Sequence, residues 1–216
     1  MSRKYKGLFI SFEGGEASGK TTQIKKIKKW LKDKKLPYII TREPGGTKLA
    51  ETLRKIILSS KDKISTDLEV LLLISSRIDH INRVINPALI KNKIVVCDRF
   101  VDSTAIYQGY YGKFGVNKVY QLHKQFLNNI LPNLTFFFNT TPKVVRKRLN
   151  KRRYKNKYDL IDQDFNKRIN NGFFKIAKNN KRFIIIDASL PIKEIHDIIV
   201  KNIIKKLLSY GVRVSK

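Results

Sequence analysis

Acidic residues are scarce in this chain. Only 17 of its 216 residues are Asp or Glu, against 46 Lys and Arg, which leaves a formal net charge of +29. A charge of that size admits two readings. One is an anionic partner, either nucleic acid or a membrane surface. The other is compositional: Lys, Ile and Asn are abundant throughout, as in an AT-rich coding sequence, and the charge is spread along the chain instead of gathered in a tail. The dispersal favours the second reading, with no specific nucleic-acid partner. An anionic small-molecule substrate benefits from the same field.

Cysteine is nearly absent. Cys97 stands alone, so an internal disulfide framework is excluded. Within Ile94-Val95-Val96-Cys97 it reads as a small buried hydrophobe. No apolar run approaches the roughly 18 residues of a membrane span. The apolar stretch after the basic N-terminus, Leu8 to Phe12, is too short for a signal-peptide core and runs straight into a glycine-rich loop. It is read as the first strand of a cytoplasmic protein. Internal repeats and Pro/Gly/Ser linkers are also missing. The length suits one domain over 1–216 with a small mobile insert, and 42% hydrophobic residues suffice for its core.

What is present alternates. Short apolar runs at Leu8–Phe12, Tyr38–Thr41, Ile94–Cys97, Leu134–Phe138 and Phe183–Ile186 are separated by helical patterns. Nearly continuous apolar strands between helices predict an α/β fold: a five-stranded parallel sheet flanked by helices on both faces. The first helix should carry Ile24, Ile27, Trp30 and Leu31 on one face. Thr66-Asp67-Leu68-Glu69 has capping-box spacing, and Thr141-Pro142 reads as an N-cap followed by proline at the first helical position. The last helix repeats Ile192, Ile195, Ile199, Ile203 and Leu207, and packing on the sheet accounts for it better than membrane binding. The stretch from Lys147 to Lys157, with Arg148, Arg152 and Arg153, has few apolar residues and cannot enter a core. It is either a solvated basic loop or a cationic lid over phosphates, spanning about 147–160.

The strongest chemical signal is Gly14-Gly15-Glu16-Ala17-Ser18-Gly19-Lys20-Thr21, which matches G-x-x-x-x-G-K-[ST] between a strand and a helix. Such a P-loop points backbone N–H groups at phosphate oxygens, and the helix start adds its positive dipole end. Lys20 reaches the β- and γ-phosphates, the Thr21 hydroxyl ligates Mg²⁺, and Thr22 completes the nucleotide-binding segment. This predicts a P-loop NTPase fold that binds a nucleoside triphosphate with Mg²⁺, without separating ATPase, GTPase and kinase. The arginines narrow it. Thr41-Arg42-Glu43-Pro44-Gly45-Gly46-Thr47 follows the second strand and Asp98-Arg99 the third, so both face the crevice beyond the strand ends. Guanidinium forks suit a second phosphate, which a phosphoryl acceptor carrying its own phosphate would bring.

Together these segments resemble the thymidylate kinase (dTMP kinase) family over nearly the whole chain. The matching pieces are Phe12-Glu13-Gly14 with the P-loop, the T-R-E-P-G-G-T run, Leu53-Arg54, Ser76-Arg77, Cys97-Asp98-Arg99-Phe100, Asp102-Ser103-Thr104-Ala105-Ile106-Tyr107-Gln108-Gly109 and Leu131-Pro132-Asn133-Leu134-Thr135. The resemblance implies transfer of the γ-phosphoryl of ATP to dTMP, giving dTDP and ADP, by a homodimer. It implies that Glu16 engages the sugar 3′-hydroxyl, that Arg54 and Arg99 hold the dTMP phosphate, and that Arg77 hydrogen-bonds the thymine edge. Ser103, Tyr107 and Gln108 would wall the base and deoxyribose, while Glu43 and Asp98 would lie near metal and acceptor phosphate, unless they only orient neighbouring arginines. The P-loop holds no arginine, so the lid should supply the basic group, from Lys157 or from Arg152 or Arg153. Two positions depart from the family. Lys157 stands where arginine is usual, and Leu73 stands where many members stack a phenylalanine on thymine. Rival readings are another P-loop nucleoside monophosphate or nucleoside kinase, and a basic nucleic-acid-binding P-loop ATPase.

Overall fold

The computed structural model of the chain describes residues 7–59, 64–149 and 163–214. All five apolar runs form strands, each one residue longer than its apolar run: β1 (Leu8–Glu13), β2 (Tyr38–Arg42), β3 (Ile94–Asp98), β4 (Leu134–Asn139) and β5 (Phe183–Asp187). In every case the added residue is polar and sits at the carboxyl end, where the sheet opens onto the crevice. The strands pair in parallel in the order β2-β3-β1-β4-β5. The chain moves to one side of β1 for β2 and β3, then crosses to the other for β4. The ends of β1 and β3 therefore border the switch point where such sheets bind ligands.

Around the sheet lie α1 (Lys20–Asp33), α2 (Lys48–Ser59), α3 (Thr66–His80), α4 (Asn86–Ile90), α5 (Val101–Thr104), α6 (Val116–Leu127), α7 (Pro142–Leu149), α8 (Gln163–Ala177) and α9 (Ile192–Ser209). Strand alternation splits the core. Leu8, Ile10, Phe12, Ile94 and Val96 pack against Ile24, Ile27 and Leu31 of α1 and Ile195, Ile199 and Ile203 of α9. Phe9, Val95 and Cys97 face the opposite side, against Phe100, Ala105 and Val119. Cys97 is fully buried, as its run predicts, and burial pushes its thiol well above the ordinary range.

The departures have physical causes. The outer strands β2 and β5 are only partly covered because each has a neighbour on one side alone. Ser65, one residue earlier than the capping-box reading placed it, caps α3 by accepting from the Leu68 N–H at 3.3 Å. Ile192 is half exposed at the mouth of the cleft and leaves the α9 core stripe to begin at Ile195. Two widened, π-helical stretches, Ile81–Ile85 and Ala105–Tyr111, follow α3 and α5. Such turns recur at functional sites, and the second carries Tyr107 and Gln108.

His123 on α6 supplies a pH dependence. It is fully buried, its Nε2 donates to the Ile130 carbonyl at 2.7 Å, and its Nδ1 has no partner among the described residues. Burial, then the charge of Arg77, pulls it from 6.5 down to about 4. Because the folded value lies below the unfolded one, the stabilising contribution of the neutral ring is complete above about pH 6.5 and is lost as the pH falls toward 4. The expected loss at pH 5 is about 2 kcal/mol, read as a falling denaturation midpoint that His123→Gln flattens. An unchanged midpoint slope in the variant contradicts the assignment.

Candidate active site

The P-loop curls because glycine sits where no side chain fits. Gly14 and Gly19 adopt φ of 138° and 100°, and a Cβ on Gly14 would lie 2.9 Å from the Phe138 carbonyl oxygen. The first turn of α1 has no side-chain cap and no acidic residue, so its leading N–H groups remain for an anion. Lys20 folds back over the loop, donating from Nζ to the carbonyls of Gly14 at 3.0 Å and Gly15 at 2.8 Å and to Ser18 Oγ at 3.1 Å. Burial, then the nearby Arg99 charge, pulls its ammonium down to about 8.

Arg99 meets the P-loop from the end of β3. Its backbone is left-handed, φ 68°, and its N–H donates to the Phe12 carbonyl at 3.0 Å. The guanidinium donates to the Gly14 carbonyl at 3.0 Å, to Ser103 Oγ at 3.2 Å and to Glu16 Oε1 at 2.5 Å, and lies over the Tyr107 ring at 5.1 Å. Glu13 holds this turn from below. Its carboxylate accepts from the Phe100 N–H at 2.7 Å and from Ser103 Oγ at 2.6 Å, while burial, then the Asp102 charge, pushes it up to about 8.

Across the cleft, Arg77 is among the largest fully buried side chains. Its Nε donates to Glu43 Oε2 at 2.6 Å and its Nη2 to Thr104 Oγ1 at 2.8 Å, while its plane lies over Phe100 at 5.2 Å. His80 closes on the other oxygen of Glu43, with Nδ1 3.0 Å from Oε1. Burial pushes the Glu43 carboxyl upward, but the Arg77 charge and the His80 hydrogen bond outweigh it and hold it below its usual range. Arg54 donates to the Pro44 carbonyl at 2.9 Å, which fixes it at the same wall.

These pieces enclose one cleft of about 530 Å³, a size suited to small-molecule ligands. Glu16, Ala17, Ser18, Gly19, Lys20, Thr21 and Thr22 line one side; Glu43, Arg54, Leu73, Arg77, Asp98, Arg99, Ser103, Tyr107 and Gln108 are among the residues that line the rest. Gly14 and Gly15 do not line it, but offer their carbonyls to Lys20.

A family model described as "Thymidylate kinase" matches residues 12–199. The chain belongs to the thymidylate kinase family. A thymidylate kinase of Mycoplasma capricolum is 42% identical over 204 residues, covering 93% of this chain and 96% of that protein. One from Rickettsia bellii is 40% identical over 209 residues, covering 94% and 98%. The crystal structure of thymidylate kinase from Ehrlichia chaffeensis superposes with a TM-score of 0.74 at 31% identity, covering 92% of this chain and 99% of that one.

Within this family frame, sequence reading missed three groups. Glu13 and His80 are buried and act only through their neighbours, so motif spacing does not single them out. Arg148, in the basic stretch that opens at Lys147 and here part of the last turn of α7, grips the P-loop: its guanidinium donates to the carbonyls of Ser18 at 2.9 Å, Ala17 at 3.2 Å and Ala188 at 2.7 Å. A run of cations does not tell which of them turns inward. Arg153 and Lys157, the cations expected over the phosphates, lie outside the described residues.

Proposed function

We propose that this chain transfers the γ-phosphoryl group of ATP to dTMP, giving dTDP and ADP. The observation that carries this reading is one cleft with a P-loop on one wall and arginines, Arg54, Arg77 and Arg99 among them, on the others. A hydrolase needs cations for one polyphosphate. A second cationic wall suits an acceptor with a phosphate of its own.

ATP sits on the P-loop, its phosphates against the α1 N-terminus and Lys20, with Arg148 on the same side. The acceptor phosphate lies between Arg54 and Arg99, its deoxyribose near Glu16 and Ser103, and its base between Leu73, Tyr107, Gln108 and Arg77. Leu73 is buried in the wall and covers a base face without aromatic stacking. The acceptor oxygen is already ionised at neutral pH, so no strong general base is required. Catalysis then consists of holding donor and acceptor in line and neutralising charge on the transferring group. Support for Arg99 in both roles comes from its contacts with the P-loop carbonyl of Gly14 and with Ser103. Arg153 or Lys157 of the lid, about 147–160 in the single domain 1–216, adds charge and excludes water.

The residues fit a divalent cation. Asp98 Oδ1 is buried without a hydrogen-bond partner among the described residues, and the Thr21 hydroxyl is exposed at the cleft. An oxygen-only donor pair completed by phosphate and water suits Mg²⁺, which supplies neutralisation of the β,γ-phosphate oxygens when bound. The same reading places the enzyme in the cytoplasm as a homodimer. Support for the dimer comes from Leu49 and Ile56 on α2 and Leu68 and Leu71 on α3, large apolar side chains exposed on two helices that pack together. No helix among the described residues is long and apolar enough to cross a membrane.

The test is coupled ADP release from ATP–Mg²⁺ with dTMP, dUMP, dCMP, dGMP or no acceptor. Strong turnover with dTMP and a silent control is expected. Turnover without acceptor, or turnover driven by nucleic acid, sinks the kinase reading while leaving the P-loop intact.

A further inference from the structure

The Arg77 guanidinium is anchored on two sides and buried but unpaired on a third. Nε is held by Glu43 and Nη2 by Thr104, but Nη1 makes no hydrogen bond among the described residues, although the side chain is buried in the cleft wall. That leaves Nη1 as a donor for an acceptor atom on a bound base. Carboxylate and guanidinium prefer a two-pronged pairing, with both carboxylate oxygens on two nitrogens of the fork. Here only one prong is made, because the carboxylate is turned so that its second oxygen faces His80. Glu43 Oε1 is occupied by His80 Nδ1 at 3.0 Å, and an ionised carboxylate only accepts, so Nδ1 carries the hydrogen. The far side of the ring is fixed as well, with Nε2 2.6 Å from Thr41 Oγ1 at the end of β2. Gly46 presses on the same ring: its φ is 91°, and a Cβ there would lie 2.6 Å from His80 Cδ2 and Nε2. His80 itself is fully buried and does not line the cleft.

We infer that His80, locked by Thr41 and Gly46, is a positioning residue for base recognition: by holding one oxygen of Glu43 toward itself it fixes the rotation of the carboxylate, keeps the Glu43–Arg77 pair single-pronged and leaves Arg77 N–H groups for Thr104 and the base. Without that donor, Glu43 turns both oxygens onto the guanidinium and draws it off Thr104. A donor-only guanidinium favours a carbonyl oxygen at the base edge and rejects an amino group, so its placement bears on dTMP against dCMP. This rests on the reading of Arg77 as the base-side donor.

The test compares His80→Leu, which removes the donor, with His80→Asn, whose amide can still donate to Glu43, and with Gly46→Ala, which displaces the ring. With dTMP, His80→Leu and Gly46→Ala should raise the KM roughly 10-fold, the loss of one hydrogen bond to a charged group. The KM for ATP should stay within about twofold and kcat within about threefold, and the preference for dTMP over dCMP should shrink by roughly the same 10-fold. His80→Asn should recover most of the loss. An unchanged dTMP KM in His80→Leu, or equal rises for dTMP and ATP, overturns the inference, whatever happens to thermal stability. Arg77→Met separates the two layers. If it leaves the dTMP preference intact, the base-side reading of Arg77 falls and this inference with it; if it erases the preference while His80→Leu does not, only the inference falls.

Discussion

Replacing Lys20 with alanine should reduce dTMP-dependent ADP release by roughly a thousandfold or more while leaving the fold intact. One preorganised donor to a developing oxyanion is worth roughly 10²–10³ in rate, and an ammonium facing two phosphates carries more than a neutral donor. The fold should tolerate the change because Lys20 supports no core packing. Its three hydrogen bonds all go to the P-loop's own oxygens, and burial in the cleft wall already pulls the ammonium down to about 8. Thermal melting should therefore shift by only a few degrees, roughly the effect of 1 kcal/mol in a domain of this size. The two measurements belong together: a large activity loss with a collapsed melting curve would say nothing about chemistry, and near-normal turnover in a folded variant would remove Lys20 from the mechanism.

Arg99 makes a second, more discriminating case. Arg99→Ala should raise the KM for dTMP roughly 10- to 100-fold, the range for losing hydrogen bonds between charged groups, and raise that for ATP only a few-fold. Equal effects on both would contradict its place on the acceptor side. Arg99→Gly adds an independent check on the backbone. Arg99 stands at φ 68°, where any Cβ is strained by about 1–2 kcal/mol, and glycine is not. The two variants should be equally poor enzymes, with the glycine form the more stable by about 1 kcal/mol in denaturant titration. The strain persists because the surroundings over-determine it: the Arg99 N–H is tied to Phe12, its carbonyl accepts from Cys97 Sγ at 3.0 Å, and Glu13 holds the next N–H. A stability order reversed from this one would mean that those contacts do not define the turn.

The sheet was legible residue by residue. Strands buried on both faces must be apolar throughout, so β1, β3 and β4 announce themselves, and their polar last residues mark the crevice end. The P-loop was equally plain, because its glycines serve a backbone shape that few other arrangements share. The arginine-bearing wall of the cleft was legible mainly through family resemblance. Arg54, Arg77 and Arg99 are far apart in sequence, and only the chain order of matching segments links them to one site. The basic stretch was visible as a charge run from Lys147, but not as individual contacts. Arg148 turns inward because α7 carries it past Ala17 and Ala188, a geometry that no spacing of cations encodes.

The sequence by itself determined the α/β class, the five strands, the nucleotide-binding loop and the family, because these depend on local periodicity and on contiguous motifs. Tertiary structure alone decided which polar groups are buried together. Glu13 ends β1 and Glu43 directly follows β2, yet Glu43 is held ionised between Arg77 and His80 and Glu13 is pushed toward its neutral form beside Asp102. The difference lies in which charges the fold brings within reach inside a poorly solvated interior, and that is a property of the packed molecule, not of either segment.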